Sequence, residues 1–134
     1  MDTIAGVLHT PLKQIASPNG DVWRGLRSNE KSFNGFGEAY FSFVNQDTEK
    51  PWRQHKIMFC NFIVNSGKIE FILEDDRKSS NTYKLINRFI LSEDDYARLT
   101  IPPGVWVKFK GLAKKNSLLN IASMIHDPDE SLTR

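Results

Sequence analysis

The sequence lacks most of the features that mark several large classes of protein. It has a single cysteine, Cys60, and so no disulfide within the chain, which favours a reducing, cytoplasmic setting. No apolar run approaches the roughly 20 residues that cross a bilayer, and the first residues lack the basic and apolar regions of a signal peptide. The net charge is only +2, without the concentrated basic excess of nucleic-acid binders. We therefore expect neither a membrane nor a nucleic acid as partner.

Long helical patterns are also missing, and the hydrophobic period that recurs is two residues. Apolar and polar residues alternate over residues 37–44, 68–74 and 105–110, and turn-forming residues recur about every ten positions. This pattern predicts seven or eight short strands. For a chain of 134 residues it indicates an all-β jelly roll of two packed sheets. Because the sequence has no linker and no internal repeat, we expect residues 1–134 to form one domain.

Two adjoining segments give the most specific structural expectations. Residues 55–64 are apolar on both faces, as in a strand inside a covered sheet, and a single strand there puts His55 and Asn61 on the same face. The Asn-Ser-Gly turn at residues 65–67 then predicts an antiparallel hairpin with residues 68–74. The core-facing residues of the returning strand are expected to be Ile69, Phe71 and Leu73.

Residues that bind metals or act as nucleophiles are sparse. The histidines, His9, His55 and His126, form no His-x-His or His-x-x-x-His spacing, and there is no cysteine pair. Since zinc and iron sites use three or four such ligands, usually two of them close in sequence, we expect no catalytic metal. Cys60 stands among apolar residues and is expected to be a small core residue, because a reactive thiol needs an exposed cationic setting.

The segment 51–56 carries the strongest candidate chemistry. It holds Arg53, His55 and Lys56 at the entry to a strongly apolar strand. A neutral imidazole titrates at about pH 6.5 and accepts protons at neutral pH, so His55 is a candidate general base; a strand-edge histidine half in solvent is the alternative. Arg53 and Lys56 suit an anionic ligand such as a phosphate, although a solvated charge cluster explains them equally well.

Further polar residues extend this candidate site. Tyr40 lies on the strand predicted at residues 37–44 and is a candidate for the wall of the same pocket. Lys108 shares a strand face with Trp106, which is either the exterior of the sandwich or a pocket wall. Arg24 belongs to a weakly patterned strand near the start of the chain.

Four segments of the sequence also keep the order and spacing of a known enzyme family. The first segment, residues 11–25, contains Pro-Leu-Lys-Gln-Ile, then Gly-Asp and Arg-Gly, and the second, residues 69–80, is a strand that ends in acidic residues and an arginine and is followed by a Ser-rich loop. The third is the Pro-Pro-Gly turn with the start of the next strand at 101–106, and the fourth is a strand followed by Asp-Pro-Asp-Glu at 118–130. Over residues 11–130 this ordered set resembles the dTDP-4-dehydrorhamnose 3,5-epimerases.

The resemblance implies a cupin jelly roll that works without metal or cofactor, usually as a homodimer, on a nucleotide-linked 4-keto-6-deoxy sugar such as a dTDP-sugar. In such enzymes a histidine takes the proton next to the ketone and a tyrosine on the opposite side supplies one. Basic residues hold the pyrophosphate, and one stabilises the enolate. The chemistry is sound without metal, since a cation near the ketone oxygen stabilises the developing oxyanion.

The resemblance assigns the base to His55, near the register of the family's Arg-Gly-Leu-His stretch. Val107 stands where the family commonly has a second histidine, and Ile125 and His126 replace the tyrosine pair before the exit. We expect this protein to lack the C-terminal region that carries a further acidic residue in longer members. The predicted catalytic residues are His55, His126 and Tyr40. The predicted substrate-binding residues are Arg24, Arg53, Lys56, Asn61 and Lys108.

Three functions stay open on the sequence alone. The first is an epimerase or isomerase of a dTDP-4-keto-6-deoxyhexose in cell-surface polysaccharide synthesis. The second, suggested by the missing tyrosine and histidine, is a non-catalytic cupin that binds a sugar nucleotide or regulates a partner enzyme. The third is a 3,4-ketoisomerase, which uses similar enolate chemistry. A homodimer is expected because one small jelly roll exposes a sheet edge and a large face, and Arg24 is a candidate to complete the partner's pocket.

Overall fold

Alternating short strands dominate the fold, as the period of two predicts. The computed structural model describes residues 2–134. One turn of 3-10 helix covers Pro128–Glu130, and the strands are β1 (Leu8–Pro11), β2 (Gln14–Ile15), β3 (Val22–Trp23), β4 (Glu38–Asn45), β5 (Glu49–His55), β6 (Cys60–Ser66), β7 (Lys68–Asp75), β8 (Ile86–Ser92), β9 (Ala97–Ile101), β10 (Val105–Gly111), β11 (Lys115–Ala122) and β12 (Ser131–Thr133).

Two five-stranded antiparallel sheets pack face to face and confirm the predicted jelly roll. The first sheet has the order β1-β9-β6-β11-β4 and the second β12-β5-β10-β7-β8, while β2 and β3 form a separate ribbon. The strands that the periodicity did not predict are short or polar, namely β1, β9, β12 and most of β5. No helix in residues 2–134 has the length and apolar character to cross a membrane.

The core lies between the inner faces of the two sheets. In β7 every second residue is buried, and Ile69, Phe71 and Leu73 are completely so, as predicted. Phe71 stacks on Phe62 of the opposite sheet with ring centroids 5.5 Å apart, and Phe109 of β10 contacts both rings at 5.4 and 5.8 Å. The three rings form an aromatic trio that packs across the interface between the two sheets. Aromatic pairs at such distances stabilise the fold beyond the free energy gained by burial.

The hairpin predicted around residues 65–67 is wrong, because β6 and β7 lie in different sheets. β6 pairs with β9 and β11, whereas β7 pairs with β8 and β10. Gly67 forms the corner with φ of +81°, and a Cβ there would lie 2.2 Å from the carbonyl oxygen of Lys115. Residues 65–67 have the sequence of a hairpin turn, but here they connect a strand of the first sheet to a strand of the second. The apolar faces of the two strands then meet through the core rather than side by side.

The single strand predicted over residues 55–64 is also wrong, because the chain changes sheets within it. β5 ends at His55 in the second sheet and β6 begins at Cys60 in the first. The carboxylate of Glu130 accepts hydrogen bonds from the backbone N–H groups of Ile57 and Met58. These bonds stabilise the turn between the two strands. As a result His55 and Asn61 do not share a strand face.

Candidate active site

A cavity of about 200 Å³ opens between the two sheets and draws its wall from β4, β5, β6, β10 and β11. Its apolar part includes the rings of Phe62 and Phe109. Within residues 2–134 no three His, Cys, Asp or Glu side chains are grouped to hold a metal ion. The polar side chains of the wall include Tyr40, Lys50, Arg53, His55 and Asn120.

His55 is paired with a buried carboxylate. Its Nδ1 lies 2.6 Å from Oε1 of Glu130, and the two side chains are 14% and 3% exposed. Burial raises the pKa of Glu130, but the N–H groups of Ile57 and Met58 and the bond to His55 outweigh it, so the pKa lies below its ordinary value. An ionised carboxylate only accepts hydrogen bonds. Nδ1 therefore carries a proton, and in the neutral form of the imidazole the lone pair is on Nε2.

Glu130 reaches His55 because the last strand of the described chain lies beside β5. Asp127 caps the 3-10 turn by accepting the N–H of Asp129 at 3.0 Å, and Ser131 at the start of β12 pairs with His55. The guanidinium of Arg134 lies over the rings of Trp52 and Trp106, at 4.5 and 4.7 Å from their centroids. These contacts fix β12, and with it the carboxylate, against β5.

Tyr40 enters the same cavity from β4. It pairs across the ladder with Asn120 of β11, whose Nδ2 donates a hydrogen bond to the phenol oxygen at 3.0 Å. Burial raises the pKa of Tyr40, and the bond from Asn120 opposes that rise. The cavity thus holds an imidazole with a free lone pair and a phenol with a free proton, which are the two groups that an enolisation needs.

Two cations of β5 face the cavity because the strand contains a bulge. Val107 of β10 pairs with Arg53 of β5, and Phe109 of β10 pairs with Lys50 of β5. Two residues of β10 therefore lie opposite three residues of β5. The extra residue turns Lys50 onto the face of Arg53 and His55, whereas strict alternation would put it on the opposite face. The cavity therefore presents two fixed positive charges to an anion.

Cys60 lines the cavity without the properties of a nucleophile. It is 2% exposed, and burial raises the pKa of its thiol to about 12. The prediction of a small buried core residue is confirmed.

Two other predicted ligand-binding residues make structural contacts outside this cavity. Asn61 is buried on the outer side of the first sheet, where it donates to the carbonyl of Ser32 and accepts from Thr100. Lys56 is exposed and donates to the carbonyl of Asp129 at 3.0 Å.

The last three predicted residues lie at the surface of the molecule. Lys108 faces Glu49 at 3.6 Å and lies over the ring of Trp52. Arg24 is exposed beside the ribbon of β2 and β3. His126 is exposed, and its backbone N–H donates to Glu38. The structure therefore brings together His55, Tyr40 and Arg53, while the roles of the other five stay predictions.

Sequence reasoning missed three residues of the site. Glu130 gave no local signal, since it stands 75 positions after His55 and reaches it only through β12. Lys50 faces the cavity because of the bulge in β5, and the alternation of residues in the sequence does not predict that bulge. Asn120 had a weak signal, because it is a buried amide in a strand whose flanking same-face residues, Leu118 and Ala122, are apolar and fully buried.

Two relatives found by comparison with known proteins are more than a quarter identical to this chain. No family model matches the chain. A dTDP sugar isomerase from Desulfovibrio desulfuricans G20 is 32% identical, superposes with a TM-score of 0.93, and is covered over 85% of its length by 98% of this chain. The probable low-salt glycan biosynthesis epimerase Agl13 of Haloferax volcanii is 28% identical over 97 residues. That alignment takes in 69% of this chain but only 62% of the archaeal protein.

A more distant structure supports the fold. The rmlC epimerase of Mycobacterium tuberculosis superposes with a TM-score of 0.90 over 99% of this chain and 70% of its own, at 13% identity. At that identity the likeness concerns the backbone alone, and the jelly roll of this chain is the same architecture.

Proposed function

The chain belongs to the family of the dTDP-sugar isomerase, and on that premise we propose that it moves a proton next to the ketone of a dTDP-linked 4-keto-6-deoxyhexose. One observation carries this proposal: the His55–Glu130 pair and the Tyr40 phenol meet in one cavity. The name of the archaeal relative supports a place in glycan synthesis, and we propose that the product serves a cell-surface polysaccharide.

His55 is the base of the proposed reaction. Its Nε2 lone pair takes the proton from the carbon next to the ketone, the C–H electron pair becomes a C=C bond, and the ketone oxygen becomes an enolate anion. Glu130 accepts a hydrogen bond from the Nδ1–H group, with Nδ1 and Oε1 2.6 Å apart, and its negative charge stabilises the imidazolium that forms. A positioned base of this kind accelerates a reaction by about 10²- to 10⁴-fold.

Arg53 and Lys50 are the groups that stabilise the enolate or the phosphate next to the sugar. Both lie in the cavity wall on β5, and a fixed cation near a developing oxyanion lowers the barrier to its formation. Arg53 suits a phosphate because its planar fork matches two oxygens at once.

Tyr40 completes the reaction by returning a proton to the other face of the enolate. The phenol O–H bond breaks, a new C–H bond forms with inverted configuration, and the ketone is restored. The imidazolium and the phenolate then exchange protons with solvent, which resets the site. Return of the proton to a different atom of the enediol would instead move the ketone, as in a 3,4-ketoisomerase.

The cavity has room for the sugar rather than for the whole nucleotide sugar. Sites that enclose drug-sized ligands measure about 300–1,000 Å³, and this cavity has about 200 Å³. The diphosphate and the base therefore extend over the surface. Lys56 and Lys108 stay the predicted contacts of that outer part.

A homodimer is the second part of the proposal. The outer face of β4 and the preceding loop expose Phe36, Phe41 and Phe43 at 63%, 59% and 70%, and apolar patches of this kind mark protein interfaces. In such a dimer Arg24 would enter the partner's pocket. Dimers that combine an Arg24→Ala chain with a His55→Ala chain test this. If Arg24 acts across the interface, one of the two pockets has both residues and part of the activity returns; if it does not, no activity returns.

Deuterium incorporation tests the reaction itself. The protein is incubated with dTDP-4-keto-6-deoxyglucose in heavy water, and NMR follows C3 and C5. The wild type is expected to place deuterium at one or both carbons, and His55→Ala to slow this by about 10²-fold or more with little change in Tm.

The other outcomes identify the alternatives. Calorimetric binding of the nucleotide sugar without any exchange would support a non-catalytic cupin and overturn the proposed reaction. Exchange accompanied by a ketone at C3 would identify a 3,4-ketoisomerase. Full exchange by His55→Ala would remove His55 from the mechanism.

A further inference from the structure

The wall of the cavity pairs Tyr40 with an amide that has no purely structural explanation. Asn120 is 1% exposed and lies directly across the ladder from Tyr40. Its Nδ2 donates to the phenol oxygen at 3.0 Å and lies 3.8 Å from the sulfur of Cys60, while its Oδ1 has no hydrogen-bond partner within residues 2–134. Burying a half-satisfied amide is costly, so this position retains a group that packing alone disfavours.

The direction of the hydrogen bond decides what the phenol can do. An amide N–H only donates, so the oxygen of Tyr40 is the acceptor of this bond. The single proton of the phenol is then left for another acceptor. Because Tyr40 lines the cavity and is 44% exposed, its proton is available to a sugar bound there.

We propose that Asn120 is the positioning residue of Tyr40, which leaves the phenol proton free for the cavity and stabilises the phenolate once the proton is gone. The inference rests on the proposed function, since that function gives Tyr40 the part of the acid. In the step, the O–H bond of Tyr40 breaks and a C–H bond forms on the substrate. The N–H of Asn120 then donates to a full negative charge, and hydrogen bonds to charged oxygens are about twice as strong as neutral ones.

The groups around Tyr40 make this bond necessary. Burial raises the pKa of Tyr40, and Cys60 of β6 and Glu38 of β4 act in the same direction. Asn120 of β11 and Arg53 of β5 lower it, and Lys50 and His55 face the same cavity. Without the amide, the phenol is a weaker acid at neutral pH.

A double-mutant cycle tests the link between the two residues. Asn120→Leu, which removes the donor at similar size, is compared with Tyr40→Phe and with the double variant on dTDP-4-keto-6-deoxyglucose. Asn120→Leu is expected to lower kcat by about 10- to 100-fold, the equivalent of one charge-assisted hydrogen bond, with KM little changed. In the Tyr40→Phe background the same substitution is expected to cost nothing further.

A second measurement does not depend on turnover. Ultraviolet titration of the three tyrosines, with Tyr40→Phe as the subtracted reference, gives the pKa of Tyr40. We expect that pKa to rise in Asn120→Leu. If Asn120→Leu does not fold, Asn120→Ala removes the same donor in a smaller side chain.

Two results would overturn the inference. One is an equal loss of kcat by Asn120→Leu in both backgrounds, which makes the amide a structural residue. The other is a pKa of Tyr40 that does not rise: a lowered value means that the amide accepts from the phenol instead, and an unchanged value means that the amide does not influence its ionisation. An inactive wild type would contradict the proposed function and the acid role of Tyr40 together, while the titration would still report on the hydrogen bond.

Discussion

Among single residues, Glu130 has the widest influence on the candidate site although it lies behind the histidine. One carboxylate oxygen is hydrogen-bonded to Nδ1 of His55, and the other accepts hydrogen bonds from the backbone N–H groups of Ile57 and Met58. The same carboxylate therefore fixes the tautomer of the base and the turn that carries the chain from one sheet to the other.

Replacing this carboxylate by an amide separates its two roles. Glu130→Gln keeps the size of the side chain but removes the charge that stabilises the imidazolium, so kcat is expected to fall by about 10²- to 10⁴-fold. Steady-state kinetics with the keto sugar nucleotide measure this. Wild-type turnover by Glu130→Gln would show that His55 does not need an anionic partner.

The same residue predicts how stability depends on pH. The pKa of Glu130 is lowered in the folded chain, so its contribution to stability is present above the ordinary carboxyl pKa of about 4.3. It is lost as the pH falls through the lower folded value. Thermal melts in acid should therefore show a steeper loss of Tm for the wild type than for Glu130→Gln. Parallel curves would contradict the assignment.

At the scale of elements, Asp75 organises the loop that follows β7. Its carboxylate accepts from Arg77 at 2.8 Å and from Ser80 and Thr82 at 2.7 Å each, and Arg77 in turn binds the carbonyl of Ala5. The residue is fully buried. Burial raises the pKa of Asp75, but these donors lower it more, so that it ends far below its usual range. One charge thus ties the start of the chain to residues 76–85.

Asp75→Asn is expected to destabilise the protein at neutral pH by roughly 3 kcal/mol, because it leaves a partly buried arginine without its counter-charge. Since the folded pKa of Asp75 is lowered, the difference between variant and wild type should shrink as the pH falls below about 4. Urea unfolding at two pH values measures both effects. A constant difference at the two values would rule out the charge as the cause.

The corner at Gly67 is a second prediction for an element. Gly67→Ala forces a Cβ to 2.2 Å from a backbone oxygen at φ of +81°, and such strain costs about 1–3 kcal/mol before the clash is counted. Gly25→Ala is the matched control, because its Cβ would meet only the tip of Ile63 at an ordinary 3.5 Å. Equal unfolding midpoints for the two variants would show that the corner tolerates a side chain.

These elements also explain which parts of the structure the sequence could predict. The alternation of β7 is local, so its buried face was predicted residue by residue. Gly67 has the sequence of a hairpin turn, and only the pairing partners of β6 and β7 distinguish a corner from a hairpin. His55, Tyr40 and Arg53 could be selected by residue type. Lys50 and Glu130 could not, because a bulge and a pairing across the whole chain bring them to the site.

For the whole molecule, the exposed phenylalanines of β4 predict the oligomeric state. Phe43→Glu puts a charge into the exposed apolar patch that we propose as the interface, and it is expected to give a monomer at micromolar concentration by sedimentation velocity. Ile86→Glu is the control, since Ile86 is 60% exposed on the other sheet and its substitution should leave a dimer. A monomeric wild type would contradict the proposed dimer.

Phe62 and Phe109 belong at once to the aromatic trio that joins the sheets and to the wall of the cavity. Trimming either ring to admit a bulkier hexose would also remove stacking that stabilises the sandwich, a loss of about 3–5 kcal/mol for each Phe→Ala change. Alteration of substrate preference is therefore best directed to Ser42 of β4 and Pro51 of β5, which line the pocket but belong neither to the aromatic trio nor to the proposed reaction.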